Sequence, residues 1–100
     1  MNGVRVHAAA RRELLDASDW YDERTPGAGW RLRAEVRQIG NRITGSPEGG
    51  TPYLYGTRRY VLTRFPYSTV YLALDASGYI VAVPHHRRRP GYWRRRLKDV

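Results

Sequence analysis

The chain has no cysteine in its 100 residues, which excludes disulfide staples and thiolate chemistry and leaves a metal site only three histidines and scattered carboxylates to draw on. No metal or cofactor is therefore expected. Long apolar runs are also missing: the longest, Val70 to Leu74 and Tyr79 to Val83, are strand-sized, and the stretch from Met1 to Leu15 meets two arginines before any apolar run. Neither a signal peptide nor a membrane span is expected, and a cytoplasmic location follows as the working reading. A chain this short builds one modest core, so residues 1–100 are read as a single domain.

Acidic residues are scarce, nine against eighteen Lys and Arg, for a net charge of +9. Lys98 is the only lysine. The distribution is uneven: from Arg87 to Val100 there are six arginines and Lys98 against one aspartate, so six of the nine net charges fall in the last fourteen residues. A local field of that strength attracts phosphate or an acidic protein surface. Arginine over lysine favours planar, bidentate partners.

Periodicity supplies the fold. After a short extended segment, Val4 to His7, the residues Ala10, Leu14, Ala17 and Tyr21 recur on one helix face while Arg11, Arg12, Asp16, Asp19, Asp22 and Glu23 fall mainly outside it. The helix should stop near Arg24, with Thr25 offering a capping hydroxyl and Pro26 suited to the first turn of a second helix. There Leu32, Val36, Ile39 and Ile43 repeat the spacing, and Gly40 marks a possible close contact. Beyond the Pro47 and Gly49-Gly50 loop the chain alternates as strands over Arg58 to Phe65, Tyr67 to Leu74 and Tyr79 to Val83, with Asp75-Ala76-Ser77-Gly78 as a hairpin turn. Tyr53 to Tyr55 fits a short strand or a loop. Pro84 is expected to end the last strand or to lie on an edge. The class is α+β, β-α-α-β-β-β, with a helical hairpin packed on one face of a mainly antiparallel sheet.

Three groups of residues in this order resemble the RelE/ParE toxins of bacterial type II toxin–antitoxin systems, over nearly the whole chain. They are Ala10, Glu13-Leu14, Ala17 and Trp20-Tyr21; Arg64-Phe65-Pro66-Tyr67 with Tyr71; and His85, Arg87 to Arg89, Pro90-Gly91-Tyr92-Trp93 and Arg96. The resemblance implies growth arrest, a cognate acidic antitoxin, and a hetero-oligomer with it. It is closer to the ParE-like branch, whose members poison DNA gyrase. Ribosome-dependent mRNA-cleaving members bring lysines into their site, and this chain has none there. Pro84 also stands where such sequences often carry a small apolar residue.

The same segment holds the candidate chemistry. Metal-independent RNA cleavage needs a base, an acid and a cation for the phosphorane-like charge; His85 or His86, Arg87 or Arg88, and Tyr92 are the catalytic candidates. Against this, His85 reads equally as a strand-end residue bonded to backbone. For binding a target or antitoxin the candidates are Arg64, Tyr67, Arg87, Arg88, Arg89, Tyr92, Trp93 and Arg96. The Tyr92-Trp93 pair argues against a merely solvated tail, since such a tail seldom carries two large rings, and predicts that the segment docks on the protein's own sheet or first helix. Phe65 is expected to anchor the core, Trp20 and Tyr21 to pack on the sheet, Trp30 to staple the second helix, and His7 to have no special role. Three functions compete: a gyrase-binding toxin, a ribosome-dependent endoribonuclease, and a non-toxic nucleic-acid-binding module. The last is the weakest, because the charge lies in one short tail and not along a groove.

Overall fold

Helix α1 (Ala8–Arg24) turns the expected stripe inward: Ala10 and Ala17 are buried and Leu14 and Tyr21 half-buried. In the computed structural model, which describes residues 4–74 and 77–100, α1 is followed directly by α2 (Ala28–Gly45), whose Leu32, Val36, Ile39 and Ile43 are all buried. The helices join through Gly27, in the left-handed conformation at φ 85° that glycine adopts without a Cβ clash. Thr25 does not cap α2 with its hydroxyl. Its backbone N–H closes α1 on the Tyr21 carbonyl at 2.8 Å, and the Asp22 carboxylate accepts the Gly29 N–H at 2.8 Å in the role of the missing N-cap.

Close helix–helix contact is made at Gly29. A Cβ there would collide with the Ser18 carbonyl and the Asp22 carboxylate. Gly40, expected to mark the contact, is buried within α2.

Five strands form one sheet in the order β1-β5-β4-β3-β2: β1 (Val4–Val6), β2 (Thr51–Pro52), β3 (Arg58–Val61), β4 (Ser68–Leu74) and β5 (Ser77–Ala82). The last three make the antiparallel meander, while β1 lies parallel to β5, with Val4 beside Gly78 and Val6 beside Ile80. Strand β3 stops at Val61, four residues short of the expected Phe65, because Leu62 N–H turns back onto Tyr67 O at 2.9 Å to close the corner into β4. Of the expected hairpin turn, Asp75 and Ala76 lie outside the described residues; Ser77 and Gly78 already belong to β5. Tyr53 follows β2 into a 3-10 turn, Leu54–Gly56.

Alternation along β4 divides two clusters. Tyr71 points into the main core with Leu32, Val36, Ile43 and Ile80, under the helices. Val70 and Leu72 face the other side, where Val81, Ala82 and Trp93 meet them. The Tyr71 hydroxyl donates to Pro47 O at 2.7 Å and accepts from Gly50 N–H at 2.9 Å, so one buried ring ties the α2–β2 loop to the middle of the sheet.

Four aromatic expectations need correction. Phe65 is half-buried at the rim, edge-on to Tyr21 at 5.0 Å, and Tyr71 takes the central position instead. Trp20 is 50% exposed beneath the Arg24 guanidinium, 3.7 Å from its ring centre, and lines an open hollow with Tyr67 and Val83 instead of being buried against the sheet. Trp30 is 62% exposed on the rim of a groove along α2, too open to act as a staple. His7 caps α1, its Nδ1 accepting the Ala9 N–H at 3.0 Å while Nε2 meets Asp99 at 2.6 Å. Among the described residues no helix is long and apolar enough to cross a membrane.

Candidate interaction site at the C-terminal segment

Strand β5 ends at Ala82, but its backbone continues beside the start of β4. Pro84 O accepts from Ser68 N–H at 3.1 Å and returns no bond, having no N–H; His86 N–H then reaches Pro66 O at 2.8 Å. This places His85 opposite Tyr67, the rings edge-to-face at 5.0 Å. A register shift at Val70/Tyr71 accompanies the change of direction.

Past Val6 the outer edge of β5 has no strand beside it among the described residues, and side chains fill the gap. Glu13, from α1, accepts the Val83 N–H through Oε1 at 3.0 Å, and Arg96 donates to Val81 O at 3.0 Å. The two side chains also bond each other at two points, 2.9 and 3.1 Å, and the Tyr92 hydroxyl donates to Glu13 Oε2 at 2.6 Å. A sheet edge, a helix and the tail are thus joined by one carboxylate.

Burial works to raise the Glu13 carboxyl, but bonds from Arg96, Tyr92 and the Val83 amide outweigh it and hold the group below the ordinary carboxylate range. Burial pushes the Tyr92 phenol well up, and its bond to Glu13 adds to the shift. For Arg96, burial lowers the value but the Glu13 bond more than restores it, leaving it raised. All three groups are locked in one ionisation state near neutral pH.

Trp93, 1% exposed, seats the tail on Val70, Val81 and Ala82. A 3-10 helix, Arg94–Asp99, follows, and Asp99 closes it onto His7. The tail therefore docks as its aromatic pair predicted, on the sheet face opposite the helices and on α1.

The proposed site residues are partly gathered and partly scattered. His85, His86, Arg88, Arg89, Tyr92 and Trp93 line one cavity of about 280 Å³, beside Tyr53 and Arg59. Tyr67 faces a second hollow of about 430 Å³ with Trp20, Tyr21, His85 and Arg88. Arg87 is exposed, and Arg96 is drawn inward by Glu13. Arg64 is separated from all of them, lining a groove along α2.

Two of the catalytic candidates, Tyr92 and His85, are tied up by internal bonds. Tyr92 donates its proton to a carboxylate and holds it tightly. His85 Nδ1 accepts the Arg87 N–H at 3.0 Å, which in neutral imidazole leaves the proton on Nε2 and no free basic nitrogen. His86 Nε2 is 3.0 Å from Ser68 Oγ. Arg88 lies over the Tyr92 ring at 3.9 Å, with its guanidinium beside the cavity.

Glu13 is the residue that sequence reasoning left out of the site. It occurred only as part of the family-like pattern in α1, and the one available sign was an acid next to the apolar stripe on an otherwise basic chain.

No protein-family model matches the chain, and no curated protein matches it by sequence. Among solved structures, a chain of the "Chromosomal ParDE TA system from P. aeruginosa" is similar, with a TM-score of 0.71 at 15% identity, over 83% of this chain and 94% of that one. The two chains share one fold, two helices packed on a five-strand, mainly antiparallel sheet. At such identity the likeness lies in the course of the backbone. The paired helices and mainly antiparallel sheet expected from periodicity are the shared features.

Proposed function

We propose that this chain is the toxin half of a toxin–antitoxin pair, acting in the cytoplasm by docking on a protein target, DNA gyrase, and neutralised by an acidic antitoxin. The observation that carries the reading is the commitment of Tyr92, Arg96 and the His85 Nδ1 to internal bonds within a ParE-like fold. What the segment presents outward is cationic surface, Arg87, Arg88 and Arg89, on a rigid support. Such a surface suits recognition. Two of the residues that RNA cleavage would call on, Tyr92 and His85, are held by internal bonds, which favours a binding role over proton transfer.

Expression without the antitoxin should arrest growth, and a short acidic reading frame beside the gene should restore it. Purified protein with gyrase and ATP should leave plasmid DNA cleaved or relaxed; unaltered supercoiling at excess protein would sink the gyrase assignment. The endoribonuclease reading keeps one point in its favour, the shared cavity of His85, His86 and Arg88. On that reading translated message is cut at the ribosome and His85→Ala abolishes the cutting.

A further inference from the structure

A groove of about 670 Å³ runs along α2, walled on its other side by the end of β3 and the turn that follows it. Trp30 stands on the rim, and among the described residues no ring or guanidinium stacks on its indole. The cavity at the C-terminal segment differs in this respect. There Arg59 lies over the Tyr53 ring at 4.2 Å and Arg88 over Tyr92 at 3.9 Å, so the protein's own cations already occupy ring faces.

Glu35 lines the same groove. Its Oε2 accepts the Thr63 N–H at 2.6 Å and the Thr63 hydroxyl at 2.9 Å, while Oε1 is buried without a hydrogen-bond partner among the described residues. A buried carboxylate oxygen left unpaired is costly, so this position is one donor short. Arg31, one turn earlier, does not supply it: its Nη1 lies 3.7 Å from where a Cβ on Gly27 would stand, back along the helix from Glu35. Arg64, next to Thr63, and Arg42 pair with no carboxylate among those residues either. Arg42 follows Glu35 by seven residues on the same helix face, about 10 Å along the axis.

We propose that this groove binds a free guanine nucleotide, its base stacked on Trp30, its N1–H and 2-amino group donating to Glu35 Oε1, and its phosphate held by Arg42. Stacking on an open indole accepts any base. The polar edge then selects among them: guanine sets two neighbouring donors against the carboxylate and leaves O6 to accept from Arg64. Adenine carries an acceptor in place of N1–H and an amino group in place of O6, so it meets both Glu35 and Arg64 with the wrong sign. The spacing of Glu35 and Arg42 suits the base edge and the phosphate of one nucleotide. The site lies apart from the His85 to Arg96 segment and does not rest on the toxin reading.

The probe is guanosine 5′-monophosphate, titrated into the full chain by calorimetry and followed by NMR of the indole and amide N–H groups. Saturable binding is expected, with the largest shifts at the Trp30 indole and the Thr63 amide and only small ones at Trp20 and Trp93. Adenosine 5′-monophosphate and inorganic phosphate should each bind roughly tenfold more weakly or worse. Trp30→Ala should weaken the guanine nucleotide roughly tenfold and leave phosphate unchanged. Glu35→Gln keeps an oxygen for Thr63 but turns an amide donor toward the groove, and should remove the preference for guanine over adenine; should that variant disturb the corner at Thr63, Trp30→Ala, at an exposed position, carries the test. Absence of saturable binding, equal affinity for all three probes, undiminished binding by Trp30→Ala, or shifts centred on His85 to Trp93 would each overturn the proposal. So would tighter binding of a single-stranded guanine-containing oligomer through the same residues, since the site would then belong to a nucleic-acid strand.

Discussion

Glu13 and Arg96, 83 positions apart, form a two-point ion pair that closes the open edge of β5. Each also bonds a backbone group of the strand, so the pair substitutes for a missing strand while fastening the tail. An edge filled in this way is closed to strand addition from another chain.

Removing one partner of this pair strands the other's charge against the sheet. Glu13→Ala should destabilise the fold by about 2–4 kcal/mol, at the lower part of the range for broken buried pairs because both side chains retain some exposure. Arg96→Lys keeps the charge but loses the fork and should cost less. Urea unfolding of the variants measures both, and equal losses for the two would contradict the geometry.

Acid stability should depend on the same carboxylate. Its folded value is depressed, so its contribution is fully present above the ordinary value of 4.5 and is lost as pH falls below that toward the folded value. Glu13→Gln should flatten the acid limb of a stability–pH curve below about pH 4.5 and leave the neutral region parallel to the parent.

On the alkaline side the signs reverse. The folded phenols of Tyr92, Tyr67 and Tyr71 are raised, burial being the largest cause for each, so their contribution is present below the ordinary value of 10.0 and declines as pH rises above it. The part of the tyrosinate absorbance that these three contribute should appear late, together with unfolding. In Tyr92→Phe the alkaline loss of stability should be smaller.

Trp93 holds the tail through apolar contact, and Trp93→Ala should cost about 3–5 kcal/mol. Trypsin should then cut at Arg94, Arg95 and Arg96 well before the rest of the chain. Resistance equal to the parent's would mean that the Glu13 bonds suffice alone.

Gly29→Ala places a methyl against backbone oxygen that cannot rotate away. A loss of about 1–3 kcal/mol is expected as the helices part, with thermal unfolding as the measure. Gly45, whose Cβ would meet nothing within 4 Å, is the control, and Gly45→Ala should leave stability within about 1 kcal/mol of the parent.

Local rules account for what was legible in the residues alone. The stripes of Ala10 to Tyr21 and Leu32 to Ile43 define two helices because side chains at 3.6-residue spacing must share a face, and alternation separates Tyr71 from Val70 for the same kind of reason. Tyr92 and Trp93 announced a docked tail because two rings in water are costly. Pairings between distant residues obey no such spacing. The parallel contact of β1 with β5, the separation of Arg64 from the tail arginines, the capping of α1 by His7 and the hold of Glu13 on Val83, Tyr92 and Arg96 arise only when the chain has folded, since each satisfies a backbone or charged group that the fold itself leaves open. The sequence alone determined the helices, the strands and the place of the charge; tertiary structure decided which of the charged and aromatic residues remain free to meet a partner.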